Sequence, residues 1–134
     1  TKNRLILKGP QLEKIKVPMG HTYKKRIFTY WKTDSNKTLW ILNSIGKYKP
    51  ITAAFLVDKC KINSAHVLTY REQHGYEIKY PSFLSQFVSV GVDDKLDLTE
   101  VLDNISGATL SVNSMDRMAR TAVILDSISN ENKC

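Results

Sequence analysis

Five residues late in the chain have types and spacing that could do chemistry: Asp103, Ser106, Gly107, Ala108 and Thr109, within the run Asp103–Ser111. Ser106, Gly107 and Ala108 leave the backbone almost bare, and a glycine lets another molecule approach the main chain closely. The run stands directly before the longest apolar-periodic stretch of the sequence, so it reads as the entry to a helix. The first turn of a helix carries unpaired N–H groups and the positive end of the dipole, which together suit an anion. A small-residue turn that receives a phosphate is one reading, and an ordinary loop-to-helix junction with a good cap is the other. Thr109 adds a hydroxyl, a poor nucleophile at neutral pH, and the ionised neighbour at short range is Asp103. Covalent chemistry on that hydroxyl would therefore need an external catalyst. Ser106 and Ser111 are placed to hydrogen-bond a bound phosphate, and Ser111 reads as the N-cap of the helix.

Several elements must position this run. The helix is expected from Ser111 until it fades over 127–130, with Val112, Met115, Ala119, Ala122 and Val123 on its apolar stripe. Arg26–Trp31 and Thr38–Leu42 flank the turn formers Thr33-Asp34-Ser35-Asn36, which predicts a hairpin with Trp31 and Trp40 in cross-strand packing. A second hairpin is expected from Ile51–Asp58, a polar turn over Lys59–Ser64, and His66–Tyr70. Pro81 with Phe83, Leu84 and Phe87 predicts a short helix, and residues 90–100 form an acidic, glycine-containing connector. Residues 1–20 are basic and punctuated by Gly9, Pro10, Pro18 and Gly20, so they read as an N-terminal arm with partial structure. Residues 21–130 then form a single domain, and 131–134 a disordered tail.

A chain of 134 residues with 42% hydrophobic and 25% charged residues has material for one domain with a core and is not of disordered type. No run approaches the roughly eighteen apolar residues of a membrane span. The start lacks a signal peptide and reads as that of a mature or excised fragment. The net charge of +7 suggests an acidic partner: nucleic acid, a membrane surface or an acidic redox protein, with a merely solvated face as the alternative. The aromatic residues do not interleave with the basic ones as in an RNA-binding signature, which argues against nucleic acid. Cys60 and Cys134 cannot build a disulfide framework of the small secreted kind. They lack metal-ligand spacing, and His21, His66 and His74 are scattered, so no metal is expected. Cys60 reads as a buried or strand-end thiol. Gly-x-Gly-x-x-Gly, P-loop and Gly-x-Ser-x-Gly motifs are missing, which removes the usual signs of a second substrate site.

The pattern Asp-x-x-Ser-Gly-Ala-Thr over 103–109 resembles the flavinylation motif of the FMN-binding domain family. That family includes the C subunit of sodium-pumping NADH:quinone reductase, the G subunit of Rnf complexes and the regulator of nitrous oxide reductase expression. The similarity spans roughly residues 21–128 and includes a turn and Pro-Ile step at 46–51, where the family often has glycine in the position of Lys49. It implies an α+β fold, with a curved, mainly antiparallel sheet, flanking helices, and the motif leading into a C-terminal helix. It further implies FMN attached covalently through its phosphate to Thr109 by a dedicated FMN transferase. Asp103, Ser106, Gly107, Ala108 and Ser111 would shape that attachment, and Glu72, His74 and Gly75 would form a loop near the flavin. Without the resemblance, Glu72 reads as half of a surface ion pair and His74 as an exposed turn residue. The implied role is an electron carrier between redox partner proteins or within a membrane complex, rather than a stand-alone enzyme. The implied location is extracytoplasmic, periplasmic or cell-surface, with any membrane anchor in a longer precursor. A redox-sensing or assembly module, or a basic polyanion-binding domain with a chance motif, are the alternatives.

Overall fold

Period-two burial along the expected hairpins builds a five-stranded antiparallel sheet, β1 (Lys2–Ile6), β2 (Ile27–Lys32), β3 (Thr38–Ile45), β4 (Pro50–Asp58) and β5 (Lys61–Thr69), in that order. The computed structural model describes residues 1–20 and 26–134. His21, one of the scattered histidines, and Lys24 and Lys25, which contribute to the net positive charge, lie outside the described residues. Thr38, Trp40, Leu42 and Ser44 of β3 point inward, as do Ile51, Ala53, Phe55 and Val57 of β4. The sheet is open, and the helices cover its inner face, which makes the fold α+β as expected.

The helix after the motif, α3 (Thr109–Ser129), is the keel of the core. Met115, Met118, Ala119, Ala122 and Leu125 are fully buried against the inner sheet face. The methionines are packing residues, as the stripe predicted. The helix begins at Thr109 with Ala108 in the N-cap position, three residues earlier than a Ser111 cap would allow. Ala108 donates its N–H to the Ile105 carbonyl at 2.8 Å and accepts from Val112 N–H at 2.9 Å, so the turn closes onto the helix without a side-chain cap.

Residues 1–20, read above as an arm, are instead built into the sheet and core. β1 pairs with β2 at five positions, and α1 (Gly9–Met19) buries Leu12 and Ile15 beside α3. Gln11 starts that helix by accepting the Lys8 N–H at 2.8 Å, and Gly20, at φ 74°, ends it. The β4–β5 turn is also tighter than the polar stretch suggested. Lys59 and Cys60 both take positive φ, 50° and 64°, as a two-residue hairpin turn does, and β5 starts at Lys61. The predicted short helix is present as α2 (Pro81–Leu84), continued by a 3-10 turn over Ser85–Phe87. The acidic connector packs Leu96 and Leu98 on the core, tied down by Arg120, which donates to the Leu96 carbonyl at 2.7 Å and pairs with Asp97 at 3.3 Å.

A fully buried carboxylate joins three elements. Asp126 accepts from the Thr38 hydroxyl at 2.6 Å and the Cys60 N–H at 2.9 Å, while Trp40 Nε1 donates to Thr38 Oγ1 at 2.8 Å. Cys60 is disulfide-bonded to Cys134 with the Cα atoms 5.6 Å apart, so the thiol and loose-tail readings are both corrected. The pairing joins residues 74 apart, and two cysteines so far apart in sequence carry no local sign that they meet. Asp126→Ala strands buried donors and is expected to cost about 3 kcal/mol in urea unfolding. Cys134→Ser is expected to cost about 4 kcal/mol through release of that long loop, and reducing agent should reproduce the loss in the parent protein and not in the variant.

Candidate functional site

Three segments distant in sequence meet at one end of the sheet around a cleft of about 590 Å³. The β3–β4 turn contributes Lys47, Tyr48 and Lys49; the loop after β5 contributes Glu72, Gln73 and His74; the start of α3 contributes Gly107 to Ser111. Such a volume lies within the ~300–1,000 Å³ of small-molecule sites. Two of the three walls were candidate segments from the sequence, and the structure brings them together.

Glu72 couples the first wall to the second. Its Oε1 accepts the N–H groups of Tyr48 at 2.5 Å and Lys49 at 2.7 Å. Those two backbone hydrogen bonds, which favour the charged form, hold the carboxyl below its ordinary value of 4.5. It is therefore not the surface ion pair expected of an isolated glutamate. Arg71 steadies the same turn by donating to the Pro50 carbonyl at 2.7 Å, and on the other side Arg117 donates to the Ile45 carbonyl at 2.8 Å.

Tyr70 couples the second wall to the third. Its hydroxyl hydrogen-bonds the Ser111 hydroxyl at 2.9 Å and donates to the His74 carbonyl. Gly75 sits against this pair at φ 86°, where an added Cβ would lie 2.5 Å from the Tyr70 hydroxyl and 3.0 Å from that of Ser111. Gly75 is thus required twice, by its backbone conformation and by lack of room. It is buried beneath the cleft rather than in its lining. Tyr70 was not singled out from sequence, because one tyrosine at a strand end carries no signal until its partner is placed. Ser111, 5% exposed, is engaged by Tyr70 in the first helical turn, which corrects its reading as the cap.

The motif itself divides. Thr109 is the first residue of α3, exposed, and lines the cleft. The N–H groups of Thr109, Leu110 and Ser111 precede the first intrahelical bond and supply the partial positive charge of a helix start. Gly107 takes φ 82° to bring the chain round into Ala108, with nothing within 4 Å of its missing side chain. Asp103 and Ser106 do not line the cleft. Asp103 donates its N–H to Gln86 Oε1 at 2.7 Å and borders a separate hollow with Glu77, Tyr80 and Phe83. Among the described residues no cluster of acids, histidines or cysteines is arranged to hold a metal ion.

The geometry suits an anion with an attached body: free amides and a hydroxyl on one side, two lysines opposite, and a glutamate already committed to backbone. Glu72 and His74 are the titratable side chains in the lining besides the lysines and Tyr48, and Glu72, with its lowered pKa, is a weak base. Comparison with protein families gives a match to the FMN-binding domain over residues 46–124, more than half of the chain. The match opens at the β3–β4 turn and runs into α3, so it contains all three walls. No curated protein matches the chain.

Two variants check this account of the walls. With its folded pKa depressed, Glu72 contributes stability above pH 4.5 that disappears as pH falls through the lower folded value. Glu72→Gln should flatten the acid limb of the unfolding curve over that window and leave the limb above pH 6 parallel to that of the parent. Gly75→Ala should lose about 2 kcal/mol in thermal unfolding, and pairing it with Tyr70→Phe should recover part of the loss by removing the obstructing hydroxyl.

Proposed function

The chain belongs to the FMN-binding domain family, and from that premise we propose that its cleft carries FMN through a phosphoester on Thr109 Oγ1 and serves as an electron carrier. The observation that carries the reading is the convergence of three remote segments on the exposed hydroxyl at the start of α3. The fit is chemical as well as spatial. A phosphodiester retains about one negative charge, which the amides of Thr109, Leu110 and Ser111 can receive. Gly107 and Ala108 keep the approach to Oγ1 clear. Lys47 and Lys49 face the body of the cleft and favour negative charge there.

Attachment forms an Oγ1–phosphorus bond while the hydroxyl proton and the donor's leaving group depart, a net gain of FMN less one water. The weak basicity of Glu72 supports a separate FMN transferase as the source of the base. Bound FMN supplies the redox chemistry, and the residues of the chain orient it, hold its phosphate and set the local charge. Redox partner proteins, soluble or in a membrane complex, would exchange the electrons. The Cys60–Cys134 disulfide supports an extracytoplasmic, oxidising location, where such bonds persist. No described helix is long and apolar enough to cross a membrane.

Co-expression with an FMN transferase followed by intact-mass analysis should show the adduct in the parent and in Ser111→Ala, and none in Thr109→Ala. A transferase that loads a control domain and leaves this one unmodified would overturn the covalent reading. In the loaded protein, Lys47→Gln with Lys49→Gln should lower the two-electron potential by on the order of 20 mV, the effect of about 1 kcal/mol of lost charge stabilisation. An unchanged potential would remove the lysines from the electrostatics of the site.

A further inference from the structure

The sheet is split between β2 and β3. These strands form a hairpin, yet among the described residues they pair only at Trp31↔Leu39 and Lys32↔Thr38, next to the turn. Continuing that register would place Thr29 opposite Ile41 and Ile27 opposite Asn43, and neither pair forms. The direction of the backbone groups follows from strand alternation. The Arg26 and Lys32 carbonyls accept from Leu7 and Thr1 on the β1 side, so Ile27 and Thr29 turn theirs toward β3. The Lys37 carbonyl accepts from Thr33 on the β2 side, so Ile41 and Asn43 face β2. The result is a fork whose two facing strand edges are unpaired among the described residues. A stacked pair, Tyr30 on Trp40 at 4.5 Å, closes its inner side.

The outer side is open, with a hollow of about 380 Å³ lined by residues of both strands. Ile27, Trp31 and Ile41 rim it and are 48%, 36% and 39% exposed. Free edges beside exposed apolar side chains are what natural sheets ordinarily cover or blunt. The charge around the fork is one-sided. The charged residues of the three strands there are Lys2 and Arg4 of β1 and Lys32 of β2, with none in β3. Lys2 and Arg4 of β1 share the outer face, opposite Trp31 and Thr29, and Arg26 and Lys37 stand at the two ends of the opening.

We propose that the β2–β3 fork is a docking slot for an extended, acidic segment of a partner polypeptide, which pairs its backbone with the free edges. A lipid surface could meet the charges and the tryptophan but would leave the strand amides unpaired. A second copy of this chain would bring like charge to like charge. An extended segment with alternating acidic and apolar side chains satisfies the edges, the apolar rim and the charge together.

The test is amide hydrogen exchange on the isotope-labelled protein with a blocked peptide of four Glu-Val repeats, and with a Lys-Val peptide of equal length. The acidic peptide should slow exchange at Ile27, Thr29, Ile41 and Asn43 by about tenfold or more at saturation, leaving β4 and β5 amides unchanged. Ile41→Asp, and separately Lys2→Glu with Arg4→Glu, should weaken that binding about tenfold with far-ultraviolet circular dichroism unaltered. The charge-reversal pair keeps the test alive if Ile41→Asp fails to fold. Unchanged exchange with the acidic peptide, or equal protection by the Lys-Val peptide, would overturn the proposal. So would protection that rises with protein concentration alone, or that appears only with vesicles containing roughly one third phosphatidylglycerol.

Discussion

The contact between the Tyr70 hydroxyl, the Ser111 hydroxyl and the Cα of Gly75 joins the end of β5, the loop beyond it and the first turn of α3. The space there admits a hydrogen and no more. Because Gly75 can pass so close, the loop folds back and places Glu72 within reach of the Tyr48 and Lys49 amides. One tight contact thereby sets the separation of all three walls. Gly46 repeats the theme on the neighbouring side, where an added Cβ would lie 3.1 Å from Ile51 Cδ1 and 3.4 Å from the Ser111 hydroxyl. Ser111 is the hub of the arrangement, and its value lies in being small and doubly capable as donor and acceptor.

The parts of this fold that were legible in the sequence are those written in local patterns. The apolar stripe of α3, the turn formers between β2 and β3, and Pro81 at the head of α2 each state a local preference that the tertiary structure honours. The motif was legible as a small-residue turn, and Thr109 does stand at the start of a helix facing a cleft. Misreadings arose where a remote partner overrides the local preference. Ser111 has the type of a cap, but Tyr70 claims its hydroxyl from 41 residues away. Lys59–Ser64 has the polarity of a loop, yet the register with β4 draws Lys61 onward into the strand. Residues 1–20 look like an arm because prolines and glycines punctuate them, although Gly9 and Pro10 start a helix, Gly20 stops it and Pro18 is buried within its last turn. Asp103 and Ser106 belong to the motif by spacing, and the turn at Gly107 carries them off the cleft. Nothing in the residue types alone predicts that parting.

Charge is distributed to match the division of labour. The acidic residues of the connector and Asp103 lie outside the cleft lining, with Asp97 paired to Arg120 of α3, while the lining carries Lys47 and Lys49. Lys49 occupies the position where related domains often have glycine, and its backbone N–H serves Glu72 without need of a special φ. The substitution therefore leaves the turn intact and adds a cation beside the site. The strand-borne cations Lys2, Arg4 and Lys32 lie on β1 and β2, whereas the cleft is walled by the β3–β4 turn, the loop after β5 and the start of α3, so two basic surfaces are carried by different elements of one small domain.

The order of the walls along the chain has a consequence for biosynthesis. The turn at 46–49 and the loop at 72–75 leave the ribosome well before Thr109, and neither can take its final form until Ser111 and the rest of α3 arrive to meet Tyr70. A helix that carries much of the core and comes last in sequence makes folding a late, collective event rather than a progressive one. The hydroxyl at position 109 therefore reaches its native setting only in a domain whose strands are already assembled.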